Sequence, residues 1–175
     1  SEVDEVIKRI EETNRRVEEM NKDAIRRVKE SNKRVEERNK EVIERSKKLI
    51  DDVRRDRDRK KLREVLERIK DLHRRTIEDT RRVLKDNDEL VRRTIEKTRR
   101  ALERNKELID RVLKRVPNVE ERLRKVLKDS ERTVKELEKR NRRVLEESDK
   151  EVKRLEKENR DVVDEIRERA KEIER

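Results

Sequence analysis

The chain has no glycine, no cysteine and no aromatic residue, and only one proline, one methionine and one histidine. Each absence removes a class of chemistry. Phosphate-cradling loops and dinucleotide-binding turns need glycines where the backbone approaches its ligand closely, so both are excluded. Without cysteine there is no disulfide framework, no thiol nucleophile and no cysteine-based zinc site, and the compartment is left open by redox chemistry. Without aromatic rings nucleic-acid bases have nothing to stack on. Long apolar runs are missing too. Nothing approaches the roughly 20 residues that span a bilayer, and SEVDEVIKRI lacks the apolar centre of a signal peptide. A soluble protein is expected.

Charge fills the space: 60% of the 175 residues are Asp, Glu, Lys or Arg. Such a composition borders on that of disordered chains. Two facts oppose disorder. The charges nearly cancel, leaving +11, and Val, Ile and Leu number 44, about a quarter of the chain, above the roughly 20% below which a charged chain stays unfolded. Heavy use of Glu, Lys, Arg and Leu then points to long helices.

The uncharged residues fall into three helical stripes. The first runs Val3, Ile7, Ile10, Asn14, Val17, Asn21 and onward to Val53 in steps of three and four, which is one face of one helix. The second runs from Leu62 to Val116 and the third from Val119 to Ile173. At about 1.5 Å per residue each helix would be on the order of 80 Å long. From Val53 to Leu62 the step is nine residues, which turns the apolar face through roughly 180°, so the chain must reverse within VRRDRDRKKL. Asp56 or Asp58 is the expected N-cap there. At the second break, KRVPNVEERL, Pro117 drives Val116 out of the helical region, and Asn118 with Glu121 resembles a capping box. Ser1 with Asp4 suggests a similar start for the first helix. The expected fold is all-α: one domain over residues 1–175, an up-down-up antiparallel three-helix bundle with helices at about 2–54, 58–116 and 119–174.

All three helices repeat at eighteen residues. ETNRRVEEMNKDAIRRVK from Glu12 aligns with ESNKRVEERNKEVIERSK from Glu30, and RRTIEDTRRVLKDNDELV from Arg74 with RRTIEKTRRALERNKELI from Arg92. Eighteen residues are five turns at 3.6, so the stripe runs parallel to the axis, and long, nearly straight helices are expected rather than a heptad supercoil. The polar members of the stripe obey the same spacing. Antiparallel neighbours at one height have position numbers with a constant sum. Asn105 with Ser130, Asn87 with Ser148, Thr94 with Asn141, and Thr76 with Asn159 all give 235, whose half falls between Pro117 and Asn118. Asn14 with Asn105, Asn32 with Asn87, Asn21 with Thr98, and Asn39 with Thr80 all give 119, which puts the first turn near Arg59.

Four polar layers are therefore expected inside the bundle: Asn14, Asn105 and Ser130; Asn21, Thr94, Thr98 and Asn141; Asn32, Asn87 and Ser148; Asn39, Thr76, Thr80 and Asn159. His73, aligned with the apolar Val91 and Ile109, faces Ser46 under the same sum and is expected in a fifth, terminal layer. A buried amide or hydroxyl left unpaired costs roughly 1–3 kcal/mol, so these groups must satisfy one another. Such layers penalise any register in which they would face Val or Leu.

Nothing in the stripes supplies a catalytic or metal site. One histidine without cysteine or converging carboxylates holds no metal, and Ser46, Ser130 and Ser148 lack a second histidine and a glycine-built oxyanion hole. No catalytic residue, cofactor or metal is assigned. The net positive charge is interspersed with acids along every helix, as in RNRRVLEESDKEVKRLEKENR, so neither a specific nucleic-acid site nor a membrane-surface helix is expected.

The eighteen-residue repeats, the Asn, Thr and Ser layers, the Glu/Lys/Arg-saturated surface and the lack of aromatics and cysteine resemble de novo designed helical bundles with buried hydrogen-bond networks. The resemblance covers the whole chain. Natural three-helix modules such as spectrin repeats are similar in outline but usually carry core aromatics and lack such regularity. The resemblance implies a non-enzymatic structural scaffold with no natural substrate, requiring no partner, and found in the cytoplasm of an expression host. The alternative is a helical interaction module that pairs with a further helix or with copies of itself through its polar-layered face.

Overall fold

The computed structural model describes residues 1–174, with side chains described through residue 172; the last apolar member of the third stripe, Ile173, and the terminal Arg175 lie outside the described side chains. Three long helices pack as a three-helix bundle: α1, Glu2–Asp56; α2, Arg59–Arg115; and α3, Glu120–Glu174. Consecutive helices are antiparallel.

The helix ends follow from local chemistry. At the start of α1 the Ser1 hydroxyl accepts from the Asp4 amide at 3.3 Å, as an N-cap side chain does, and donates its own proton to the Asp4 carboxylate at 2.9 Å. Between α1 and α2 the reversal takes two residues. The Arg57 amide donates to the Val53 carbonyl at 3.0 Å, and Asp58 Oδ1 accepts from the amides of Lys60 and Lys61, so Asp58 rather than Asp56 is the cap. Arg57 holds φ at 50°, in the left-handed region. A residue with a Cβ pays roughly 1–2 kcal/mol there, whereas glycine does not. Arg57→Gly is accordingly expected to raise the unfolding free energy by about 0.5–1 kcal/mol once glycine's extra unfolded-state entropy is subtracted. Urea denaturation reads this directly; a lower midpoint would mean that the turn is held by the arginine side chain.

The second junction differs from the capping box expected of Asn118 and Glu121. Val116 is extended, with φ −132° and ψ 81°, as the residue before proline must be. Pro117–Val119 then form a single 3-10 turn that runs straight into α3, and Asn118 lies inside this turn. Proline's fixed φ suits the first position of a helical turn, so the helical path starts at Pro117 and Asn118 is no longer its cap.

By internal packing the chain falls into two compact units, each built from a stretch of all three helices: Ser1–Val28 with Asn87–Glu146, and Lys29–Asp86 with the chain from Glu147 onward. The first unit has one apolar cluster around Ile10, Ile109, Val112 and Leu123 and another around Val28, Val91 and Val144. The second has a cluster around Ile50, Leu62, Ile69 and Ile166. These side chains come from Val, Ile and Leu at stripe positions, and no large apolar side chain is exposed among the described residues. Between α2 and α3 the same clamp recurs at eighteen: Arg99 reaches Glu138 at 2.8 Å in the first unit, and Arg81 reaches Glu156 at 2.7 Å in the second.

Candidate functional site, the buried polar layers

Fourteen of the sixteen polar side chains singled out by the repeat are buried; Asn14 and Asn32 are half-buried. Side-chain bonds link the helices in relays that end on a backbone carbonyl. In the first unit Asn141 Nδ2 donates to Asn21 Oδ1, Asn21 Nδ2 donates to Thr98 Oγ1 at 2.9 Å, and the Thr98 hydroxyl donates to the Thr94 carbonyl at 2.8 Å. Eighteen residues away the second unit repeats it: Asn159 Nδ2 to Asn39 Oδ1 at 2.5 Å, Asn39 Nδ2 to Thr80 Oγ1 at 3.2 Å, and Thr80 to the Thr76 carbonyl at 2.7 Å.

The direction of each relay is dictated by donor supply. A threonine hydroxyl has one proton, and in a helix it turns back to the carbonyl four residues earlier. Its oxygen is then left to accept, and the asparagine amide supplies the proton. Each asparagine also donates to its own helix: Asn21 to the Val17 carbonyl, Asn39 to Val35, Asn141 to Leu137 and Asn159 to Leu155. Both amide protons are thereby used.

Another layer of the first unit is a shorter relay. Asn105 Nδ2 donates to Asn14 Oδ1 at 3.3 Å, Asn14 Nδ2 to the Ser130 hydroxyl at 2.9 Å, and Ser130 to the Val126 carbonyl at 3.1 Å. In the second unit the order is reversed, because the Ser148 hydroxyl donates to Asn32 Oδ1 at 3.0 Å. Asn87, read in the sequence as a member of that layer, is buried in the first unit. Thr76 and Thr94 do not join a neighbouring helix through their hydroxyls. They bond back to the carbonyls of Leu72 and Leu90, and their carbonyls, not their side chains, terminate the relays.

His73 sits where the sum rule did not put it. Its Nε2 lies 2.9 Å from the Ser46 hydroxyl, as the pairing expected, but its Nδ1 lies 2.6 Å from Asn159 Oδ1. Rather than forming a separate terminal layer, it extends the Asn159–Asn39–Thr80 relay. The sum rule assumes side chains reach sideways; the imidazole is long enough to span about a turn along the axis. Asn159 spends both amide protons elsewhere, so its oxygen faces the ring and Nδ1 carries the proton. Nε2 then accepts from Ser46, whose single proton is contested by the Val42 carbonyl at 2.8 Å. Burial pushes the His73 pKa below the usual histidine value, and the bond to Asn159 opposes that only in part. The ring is neutral at pH 7.

The two copies are not equivalent. Asn141 Oδ1 has no hydrogen-bond partner, because Val91 occupies the position that His73 fills in the other copy; Asn105 Oδ1 is likewise unpaired. No group of three or more metal-ligating side chains occurs among the described residues, and no helix among them is long and apolar enough to cross a membrane.

Fold and layers together define a three-helix bundle with buried Asn, Thr and Ser hydrogen bonds. No protein-family model and no curated protein matches the chain. Among solved structures it is similar to a computationally designed three-helix bundle, with a TM-score of 0.54 and 18% sequence identity over 98% of this chain and 88% of that one. At that identity the likeness is one of fold.

Proposed function

We propose that the chain is a designed structural scaffold in which buried polar layers select one helix register and pairing, with no natural substrate and no requirement for a partner or cofactor. The observation that carries this reading is the relay built from Asn, Asn and Thr of three helices, present in both units at the same eighteen-residue spacing. An all-apolar core would be more stable, since each buried amide gives only about 1 kcal/mol net when paired. Layers kept at that cost act against misaligned packings, in which they would face Val and Leu unpaired. The likeness to a designed bundle supports the same reading.

The test removes one layer whole. Replacing Asn14 and Asn105 with Leu and Ser130 with Ala deletes donors and acceptors together, including the unpaired Asn105 oxygen. The variant is expected to unfold at the same or higher denaturant concentration than the parent. Its register is expected to loosen, seen by light scattering as mixed masses where the parent is expected to show one species near the chain mass of 21.7 kDa at two concentrations. A large loss of stability, or an unchanged single species, would overturn the role given to the layer.

A further inference from the structure

The eighteen-residue repeat breaks at three positions that line one groove. Val163 of α3 stands where the other copies have Leu145 and Leu127, and Arg167 where they have Asp149 and Glu131; on α2, His73 stands where they have Val91 and Ile109. These three side chains border a groove of about 610 Å³ between the 70–81 stretch of α2 and the 159–167 stretch of α3, both within the second unit. The volume is that of a small-molecule site.

The breaks explain the groove and its character. Leu145 packs onto the Val28–Val91–Val144 cluster; valine at 163 is one methylene shorter and lines the groove beside Ile77. Half-buried Ile77 and Val163 form an apolar floor, with buried His73 and Asn159 beneath. Five of the lining side chains are Lys or Arg and two are acidic. Arg74 is held by Asp71 at 2.6 Å and Arg81 by Glu156 at 2.7 Å, but Arg167 makes no ion pair among the described residues. An apolar floor under a cationic rim with one uncommitted guanidinium is complementary to an acid on a compact apolar body.

We propose that this groove binds a small amphipathic anion, an aromatic or alicyclic carboxylate or sulfonate, with its apolar body over Ile77 and Val163 and its acid group at Arg167. The probe is 8-anilinonaphthalene-1-sulfonate, titrated into the full chain and followed by fluorescence and by the ring resonances of the single histidine. One saturable site is expected, with the His73 resonances moving at the same midpoint as the fluorescence. Val163→Leu, which installs the residue of the other two copies without changing charge, is expected to weaken binding about tenfold by filling the floor. Arg167→Asp is expected to weaken it severalfold, as loss and reversal of one exposed charge does. Equal binding by Val163→Leu and parent, or fluorescence that rises while His73 stays unmoved, would show general attraction of the dye to a basic surface and overturn the site. A concentration-dependent doubling of mass that Val163→Leu abolishes would assign the groove to a second copy and overturn it equally.

Discussion

Asn159→Val is expected to lower the unfolding free energy by about 2–4 kcal/mol, while the same change at its repeat mate, Asn141→Val, costs at most about 1 kcal/mol. The two asparagines are eighteen residues apart and make the same donations, each to an asparagine of α1 and each to the carbonyl four residues back. They differ in what they accept. Removing Asn159 strands two buried groups, the Asn39 oxygen and the His73 Nδ1 proton. Removing Asn141 strands only the Asn21 oxygen, and it also eliminates an amide oxygen that had no partner. Denaturant midpoints at constant slope measure the difference. Equal losses would mean that the His73 bond contributes nothing to stability, and the relay in the second unit would have to be redrawn without it.

The second large effect is in pH. His73 has a folded pKa below its unfolded value because burial disfavours the imidazolium. Above the unfolded value of about 6.5 both states are neutral and stability is at its full level. As pH falls below that value the unfolded chain takes up a proton that the folded chain refuses. Stability then drops by up to about 1.4 kcal/mol per pH unit until the folded pKa is reached. The sign is fixed by the direction of the shift: acid weakens the fold. His73→Gln keeps a neutral donor for Asn159 and titrates nowhere in this range, so its stability should stay level between about pH 6.5 and 5 while the parent's falls. Parallel profiles would show that the ring protonates as readily in the fold as in the unfolded chain, so that burial does not lower its pKa. In the folded parent, the ¹⁵N shifts of the one histidine should report a proton on Nδ1 and a lone pair on Nε2.

The network limits how far this drop can go. Protonated Nε2 could donate to the Ser46 oxygen if the hydroxyl turned fully to the Val42 carbonyl, which already lies within reach. Every hydrogen bond then survives protonation, and only the desolvation of the charge opposes it. Ser46 is therefore what separates a histidine that titrates late from one that cannot titrate without unfolding.

Much of this was written in the sequence because its causes are local or periodic. Three helices, their antiparallel order and the two turns follow from stripe phase, the Val53-to-Leu62 step and Pro117, each a matter of neighbouring residues. Which polar residues lie at buried positions also follows, since an eighteen-residue period keeps Asn21 and Asn39 on one straight stripe of α1 and Asn141 and Asn159 on another of α3. The cap of α2 was narrowed to Asp56 or Asp58 by the step between stripes, and the amides of Lys60 and Lys61 then decide for Asp58.

Tertiary structure alone decided where each proton goes and which copy of a repeated layer is complete. Thr76 and Thr94 carry the spacing of relay members and turn their hydroxyls back to their own helix just as Thr80 and Thr98 do, but it is Thr80 and Thr98 that Asn39 and Asn21 reach. His73 joins Asn159 because an imidazole reaches along the axis as well as across it, a length that position numbers do not contain. The unpaired oxygen of Asn141 and the groove over Val163 are likewise differences between copies that look equivalent in sequence. Periodicity determines which face a residue shares; hydrogen-bond direction and fit depend on distances of a few tenths of an ångström, which only the packed side chains set.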